Sequence, residues 1–126
     1  MNQQPKWMTV TGWVLSVLPV LALLFSAFIK FRAPPEVVTA FTGKYGYPSG
    51  SLGVIGAVEV ACALVFLLPQ TSVLGAILIA GYLGGAASTH VRAGEPFFAP
   101  ILVAVFAWAG LFLREPRLRA LVPVRR

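Results

Sequence analysis

The sequence predicts an all-α integral membrane protein: a bundle of four transmembrane helices with a short surface helix in the first loop. Composition is the first reason, because 58% of the 126 residues are hydrophobic, 11% are charged and the mean hydropathy is +0.84. Soluble domains are far less apolar. The second reason is that the apolar residues gather in four long stretches. Each is close to the ~18 residues that a helix needs to cross roughly 30 Å of hydrocarbon.

The four stretches define the elements of a single membrane domain, covering residues 1–126. We place the helices at about 8–29, 52–68, 73–89 and 97–113, with a basic tail over 114–126. The first stretch is longer than the apolar part of a secretory signal, so it is interpreted as a retained span. The stretches lack the alternation of outer-membrane strands, and helices are the remaining structure that satisfies its own backbone in lipid.

The connections between the helices differ in length. The link "PQTS" is so short that the second and third helices must form an antiparallel hairpin. The loop from Lys30 to Ser51 is far longer, and its segment "APPEVVTAFTG" carries a proline start signal and a glycine stop signal for a helix. We therefore expect a surface helix over Pro35 to Thr42, followed by Tyr45 and Tyr47 at the membrane interface.

The basic residues predict the orientation in the membrane. With an even number of spans both termini share one side, and this side carries more lysine and arginine, especially in the tail "REPRLRALVPVRR". By the positive-inside rule, both termini are expected in the cytoplasm of a bacterial inner membrane, with the chain crossing it several times. The net charge of +6 is then explained by topology and anionic lipid, and no nucleic-acid partner is expected.

Small residues on the second and third helices predict close helix packing. Gly81 and Gly85 form one small-xxx-small pair, and Gly53 with Ala57 forms another. Small side chains let helix backbones approach each other in lipid, where glycine costs less than in a soluble helix.

A polar cluster is predicted in the outer half of the bundle. Glu59 is the one charged residue of the second span, Lys30 ends the first helix, and His90 and Arg92 end the third on the same side. A charge inside a bilayer needs a partner. Two interpretations stay open: an ion pair that only fixes helix register, or the floor of a cavity that binds the polar group of a quinone or lipid, with His90 exchanging protons.

Other chemistry is limited by the residues available. One histidine and one cysteine do not supply a metal-ligand set, so no metal is expected. Cys62 has no second cysteine to pair with and is expected to pack in the interior. The polar groups of the spans lie in the outer half only, which counts against a transport pathway. Whether the protein is an enzyme stays open.

Several segments resemble the DoxX-like family of small four-helix bacterial membrane proteins. They are, in order, "SAFIKF", "GYP", "GAVEVACALVFLLP", "LGAILIAGYLGGAASTHVRAGEP" and "WAGLFLREPRLRALVP". Some members of this family form the small membrane subunit of thiosulfate:quinone oxidoreductase, and others belong to membrane redox complexes. The resemblance therefore implies a redox partner protein, although this chain has no cysteine pair for such chemistry; a homodimer is the other assembly we consider.

The sequence as a whole predicts an accessory or hydrophobic-ligand-binding membrane subunit, in contact with the lipid bilayer. The alternative is a quinone-reactive subunit of an oxidoreductase, with quinone as its cofactor. A small transporter is the less favoured third reading.

Overall fold

The computed structural model describes residues 4–126, so the first three residues of the expected domain lie outside it. Residues 4–126 form five α-helices and no β-strand, which confirms the all-α prediction. The helices are α1 (Lys6–Arg32), α2 (Pro35–Thr39), α3 (Ser51–Leu67), α4 (Ser72–Arg92) and α5 (Phe98–Arg114). Three shorter elements complete them: a π-helical turn (Ala40–Lys44) and 3₁₀ turns at Pro69–Thr71 and Pro116–Ala120.

The helix ends follow from local sequence. α1 ends at Arg32. The next residue, Ala33, has a left-handed φ of 48°, and its N–H donates a hydrogen bond to the carbonyl of Ile29. α3 begins after Gly50, which adopts φ 87°, a conformation that glycine reaches without steric cost. α3 stops at Leu67 because the next residue is extended, as residues before a proline usually are. The surface helix is shorter than expected and continues as a wider turn from Ala40.

The helices differ in their capacity to cross a membrane. α1 and the segment Pro69–Arg92 are long and apolar enough to span one. α3 and α5 are also apolar but have 17 residues each. Seventeen residues rise only about 25 Å, slightly less than a hydrocarbon core of roughly 30 Å. Length and composition therefore support two of the four expected spans.

The four long helices pack as a ring. α1 contacts α5 and α3, and α4 contacts the same two helices from the opposite corner. Phe66, Ile79 and Leu111 are fully buried where the ring closes, surrounded by smaller apolar side chains. α2 and the turn after it form part of the loop between α1 and α3.

One end of the ring is held together by glycines, and we call it the arginine end because Arg114 lies there. A Cβ atom on Gly110 of α5 would lie 2.7 Å from the carbonyl oxygen of Gly12 on α1. A Cβ atom on Gly75 of α4 would collide with the backbone of Phe66 on α3. The backbones of α1 and α5, and of α3 and α4, are therefore in direct contact at this end.

The sequence predicted close helix contacts at Gly81, Gly85 and Gly53, and the structure of residues 4–126 has none there. A Cβ atom on Gly81, Gly85 or Gly53 would meet nothing within 4 Å. Spacing reveals which small residues share a helix face. Whether a neighbouring backbone lies against that face depends on the distance and angle between the helices. The close contacts belong instead to Gly12, Gly75 and Gly110.

Candidate functional site

The opposite end of the ring encloses the main cavity, and we call it the cavity end. The cavity has a volume of about 520 Å³. All four long helices and the first loop line it, mostly with apolar side chains. The polar residues among its walls are Ser26, Lys30, Tyr45, Tyr47, Glu59, Tyr82, Thr89 and His90.

A buried ion pair lies in the wall of this cavity. Lys30 Nζ is 2.9 Å from Glu59 Oε1, and the two side chains are 11% and 2% exposed. Lys30 Nζ also donates to Ser26 Oγ at 2.6 Å, and Ser26 Oγ donates to Glu59 Oε1 at 3.2 Å. These contacts join α1 to α3 through a closed triangle of polar atoms. A buried charge is tolerated when it is paired and hydrogen-bonded in this way.

The first loop covers the cavity end and is fastened to α4 and to the loop before α5. Glu95 receives a hydrogen bond from the Tyr45 hydroxyl at 2.7 Å and forms an ion pair with Lys44. His90 Nδ1 lies 2.8 Å from the same carboxylate, and an acceptor-only carboxylate requires that this nitrogen carry the proton. We call residues 40–47 the roof, because Phe41, Tyr45 and Tyr47 line the cavity from this loop.

A second contact fastens the roof farther along the loop. Tyr47 Oη is 2.8 Å from Thr89 Oγ1 on α4. Thr89 donates its hydroxyl hydrogen to the carbonyl of Gly85, so Tyr47 is the donor in this pair. The ring of Phe41 stacks on Tyr47 and meets Tyr45 edge-on, which completes an apolar inner surface.

The electrostatics of the roof favour an ionised Glu95. The hydrogen bond from Lys44, followed by those from Tyr45 and His90, lowers the pKa of Glu95 to about 2. Burial, with the hydrogen bond to Glu95 as the next cause, raises the pKa of Tyr45 to about 12. Both groups therefore keep a single protonation state across the physiological range, and the roof contacts persist there.

The structure brings together part of the predicted cluster. Lys30 and Glu59 are in contact, and His90 lines the same cavity while bonding to Glu95. Arg92 is exposed and does not line the cavity, because it follows His90 by two residues and projects from another side of α4.

The sequence reasoning missed the roles of the roof residues. Tyr45 and Tyr47 were expected at the membrane interface, but they hydrogen-bond to Glu95 and Thr89. Glu95 was not singled out, although an acid five residues after the only histidine, in a tight loop, was an available signal.

A second polar group lies at the arginine end, where the sequence predicted none. Arg114 Nε donates to Ser16 Oγ at 2.9 Å, and one Nη donates to Ser72 Oγ at 3.3 Å. The guanidinium lies 4.1 Å from the ring centroid of Trp13. The other Nη is buried and finds no hydrogen-bond partner among residues 4–126. Arg114 thus belongs to the interior, although the sequence assigned it to the tail.

The further features of this end are the remaining reactive side chains and the walls of the cavity. Cys62 is buried in the apolar core. Within residues 4–126, no group of three or more His, Cys, Asp or Glu side chains is placed to hold a metal. The cavity is an apolar volume with hydroxyl, ammonium and carboxylate groups among its walls.

The fold and the site define the class of protein: an apolar helical bundle around a cavity with polar groups in its wall. The sequence model of the DoxX-like family matches residues 14–112, and the chain belongs to this family, as the sequence motifs predicted. The family and the apolar helices together suggest a small membrane protein. No curated protein and no solved structure matches the chain.

Proposed function

We propose that the protein is a membrane subunit that binds a neutral amphiphile, with a quinone-like head in the cavity. The observation that carries this proposal is the buried pair of Lys30 and Glu59 in the wall of an otherwise apolar volume of about 520 Å³. Sites for small ligands have volumes of about 300–1,000 Å³ and combine apolar walls with a few polar groups.

The charges of the site favour a neutral head group. The positive charge of Lys30 is balanced by Glu59 at 2.9 Å, so a charged head would leave one charge of the site uncompensated. An ammonium has three N–H donors, and the contacts with Ser26 and Glu59 use two of them. The third can donate to a carbonyl oxygen in the cavity, which is the acceptor that a quinone presents.

The proposal includes a position in the membrane. We place the chain in the bacterial inner membrane as a multi-pass protein with both termini in the cytoplasm. The apolar character of α1, α3, α4 and α5 and the basic residues that follow α5 support this placement. In this orientation the cavity end faces outward.

A quinone-reactive subunit of an oxidoreductase is the second candidate. It is favoured by one observation: His90 lines the cavity and bonds to Glu95, so a group able to carry protons lies beside the ligand volume. This chain has one cysteine, so electrons would have to come from a redox partner protein. A transporter is less favoured, because the arginine end is closed by backbone contacts at Gly12, Gly75 and Gly110.

Calorimetric titration of the purified protein with a decyl-chain benzoquinone tests the binding proposal. We expect wild-type protein to bind, and Glu59→Gln to bind at least about tenfold more weakly, equivalent to about 1.4 kcal/mol. The double variant Lys30→Met with Glu59→Leu removes both charges together, so the test stands even if the single variant unfolds.

Arg92→Gln is the matched control, because Arg92 is a charged residue on α4 that lies outside the cavity. It should bind as wild type does. Equal affinity of wild type and the double variant for the probe would refute the proposal, as would a wild type that does not bind.

A further inference from the structure

We infer that the ligand reaches the cavity sideways through an opening between α3 and α4, and carries an apolar chain that stays in this opening. The inference rests on the proposed function and deepens it, because it defines the ligand as a molecule dissolved in the bilayer. It also assigns a role to two glycines that no backbone contact explains.

The walls of the opening are exposed residues that also line the cavity. On α3 they are Val54 and Val58, which are 66% and 44% exposed. On α4 they are Gly81 and Gly85, which are exposed and line the same volume. A Cβ atom on either glycine would meet nothing within 4 Å, so the space beside them is open.

The opening follows from how α3 and α4 are joined. They are linked by the short turn Pro69–Thr71, and near this turn Gly75 packs against the backbone of Phe66. The hairpin is antiparallel, so residues farther from the turn on α4 face residues farther from it on α3. At Gly75 a Cβ atom would collide with α3, whereas at Gly81 and Gly85, farther from the turn, it would meet nothing within 4 Å. We therefore place the opening at the level of Gly85 and Val54.

On the aqueous side, the roof is held in place by polar contacts. Glu95 holds Tyr45 and Lys44, and Thr89 holds Tyr47. A ligand arriving from water would have to break these contacts. A ligand arriving from lipid meets apolar side chains and two glycines, and no polar contact has to be broken.

The opposite side of the ring also has exposed residues that line the cavity. There, Ala22 of α1 and Ala99 of α5 are exposed and line the cavity. Both carry a methyl group where the α3–α4 side has glycine hydrogen atoms. We therefore assign the chain to the α3–α4 side, and the experiment below compares the two sides.

The shape and polarity of this path define the ligand class. The head group lies at Lys30 and Glu59, inside the ring, and the opening at Gly85 leads to the surface of α3 and α4. An apolar chain attached to the head fits this path, since it exchanges lipid neighbours for apolar walls. A compact water-soluble head without a chain would leave the opening unfilled.

The test measures equilibrium binding of two probes, a decyl-chain benzoquinone and the same benzoquinone without the chain. In the variant Gly81→Leu with Gly85→Leu, we expect affinity for the chain-bearing probe to fall at least about tenfold. We expect affinity for the chainless probe to change less than twofold. Leucine stabilises a helix relative to glycine by about 1 kcal/mol and meets no neighbour here, so folding should be preserved.

Gly84→Leu is the matched control. Gly84 lies on the same helix, a Cβ atom there also meets nothing within 4 Å, and it does not line the main cavity. Its affinity for both probes should equal that of wild type. The single variant Gly85→Leu gives a second reading should the double variant unfold.

Two results would overturn the inference while leaving the proposed function intact. One is wild-type affinity for the chain-bearing probe in both Gly85→Leu and the double variant. The other is a loss of affinity confined to Ala22→Leu and Ala99→Leu, which would move the chain to the α1–α5 side. Absence of binding of both probes to wild type would instead remove the proposed function, and the inference with it.

Discussion

The two ends of the helical ring are built on different principles. At the arginine end, backbones touch at Gly12, Gly75 and Gly110, and Arg114 fills the remaining space between α1, α4 and α5. At the cavity end, a Cβ atom on Gly81 or Gly85 of α4 would meet nothing within 4 Å, and the helices surround an open volume.

Each end contains a buried cation, and the cations are satisfied differently. Lys30 has a carboxylate at 2.9 Å, whereas Arg114 has two serine hydroxyls and an aromatic ring. The comparison shows that a buried positive charge can serve packing or can face a cavity. The presence of an acid beside an accessible volume distinguishes the second case. Four predictions test this contrast.

The largest effect is expected from Gly110→Leu at the arginine end. A Cβ atom there would lie 2.7 Å from the Gly12 carbonyl oxygen, and backbone cannot move aside as a side chain can. Ordinary overpacking costs about 1–3 kcal/mol. Because the neighbour here is backbone and cannot repack, we expect a larger cost and loss of the folded monomer on gel filtration in detergent. Gly84→Leu, which meets nothing, should elute as wild type does. Equal behaviour of the two variants would contradict the contrast between the ends.

The next effect concerns the ion pair of the cavity end. Glu59→Leu leaves the Lys30 ammonium without its acid, and removing one partner of a buried pair costs about 3–5 kcal/mol. We expect the free energy of unfolding in SDS titrations to fall by this amount. Adding Lys30→Met should recover most of the loss, because no charge then remains. Additive losses in the double variant would show that the two side chains are not coupled.

A smaller loss is expected at Arg114. Arg114→Lys keeps the charge but cannot donate to Ser16 and Ser72 from one planar group. Hydrogen bonds to charged groups contribute about 1.5–3 kcal/mol, so we expect a lower midpoint of thermal unfolding, followed by tryptophan fluorescence. Arg117→Lys is the control, because Arg117 is 82% exposed and bonds only to Glu115 within the structure described. A drop of equal size in both variants would argue against a special role for Arg114.

The smallest effect concerns the roof and its dependence on pH. Because the folded-state pKa of Glu95 is about 2, below its usual 4.5, its contribution is fully present above 4.5 and is lost as the pH falls through 2. We expect hydrogen exchange of residues 40–47 to be constant from pH 7 to 5 after correction for intrinsic rates, and to accelerate below 4.5. Glu95→Gln should remove this transition.

Glu36→Gln is the control for that experiment, since Glu36 is an exposed acid in the same loop. Its exchange profile should follow wild type. A transition that persists in Glu95→Gln would assign the effect to another group.

The sequence was sufficient to predict much of this fold. The apolar stretches predicted the long helices, with ends within a few residues of α1, α3, α4 and α5, because hydrophobic run length and proline and glycine stops are local signals. A cationic partner for Glu59 was also expected, with Lys30 as the natural candidate and Arg92 as the other, since a charge inside an apolar helix needs a partner. The structure pairs Glu59 with Lys30.

The remaining features depend on distances that spacing along one helix does not contain. Gly81 and Gly85 have the same spacing as a packing motif, but no neighbouring atom of residues 4–126 lies within 4 Å of a Cβ atom at either position. The position of Arg114 could not be predicted either, because the last residue of a helix can turn outward to water or inward. Ser16 and Ser72, nearly a hundred and about forty residues away, direct it inward.

The turn Pro69–Thr71 joins α3 to α4 at the arginine end, so the cavity end of the hairpin is the part farthest from this connection. At a rise of 1.5 Å per residue, the far end of α3 lies about 25 Å from the turn, so a tilt of about 5° displaces it by about 2 Å. A displacement of that size is comparable to the van der Waals radius of a methyl group. A tilt of the hairpin by this amount would change the width of the proposed opening while leaving the contact of Gly75 with Phe66 in place.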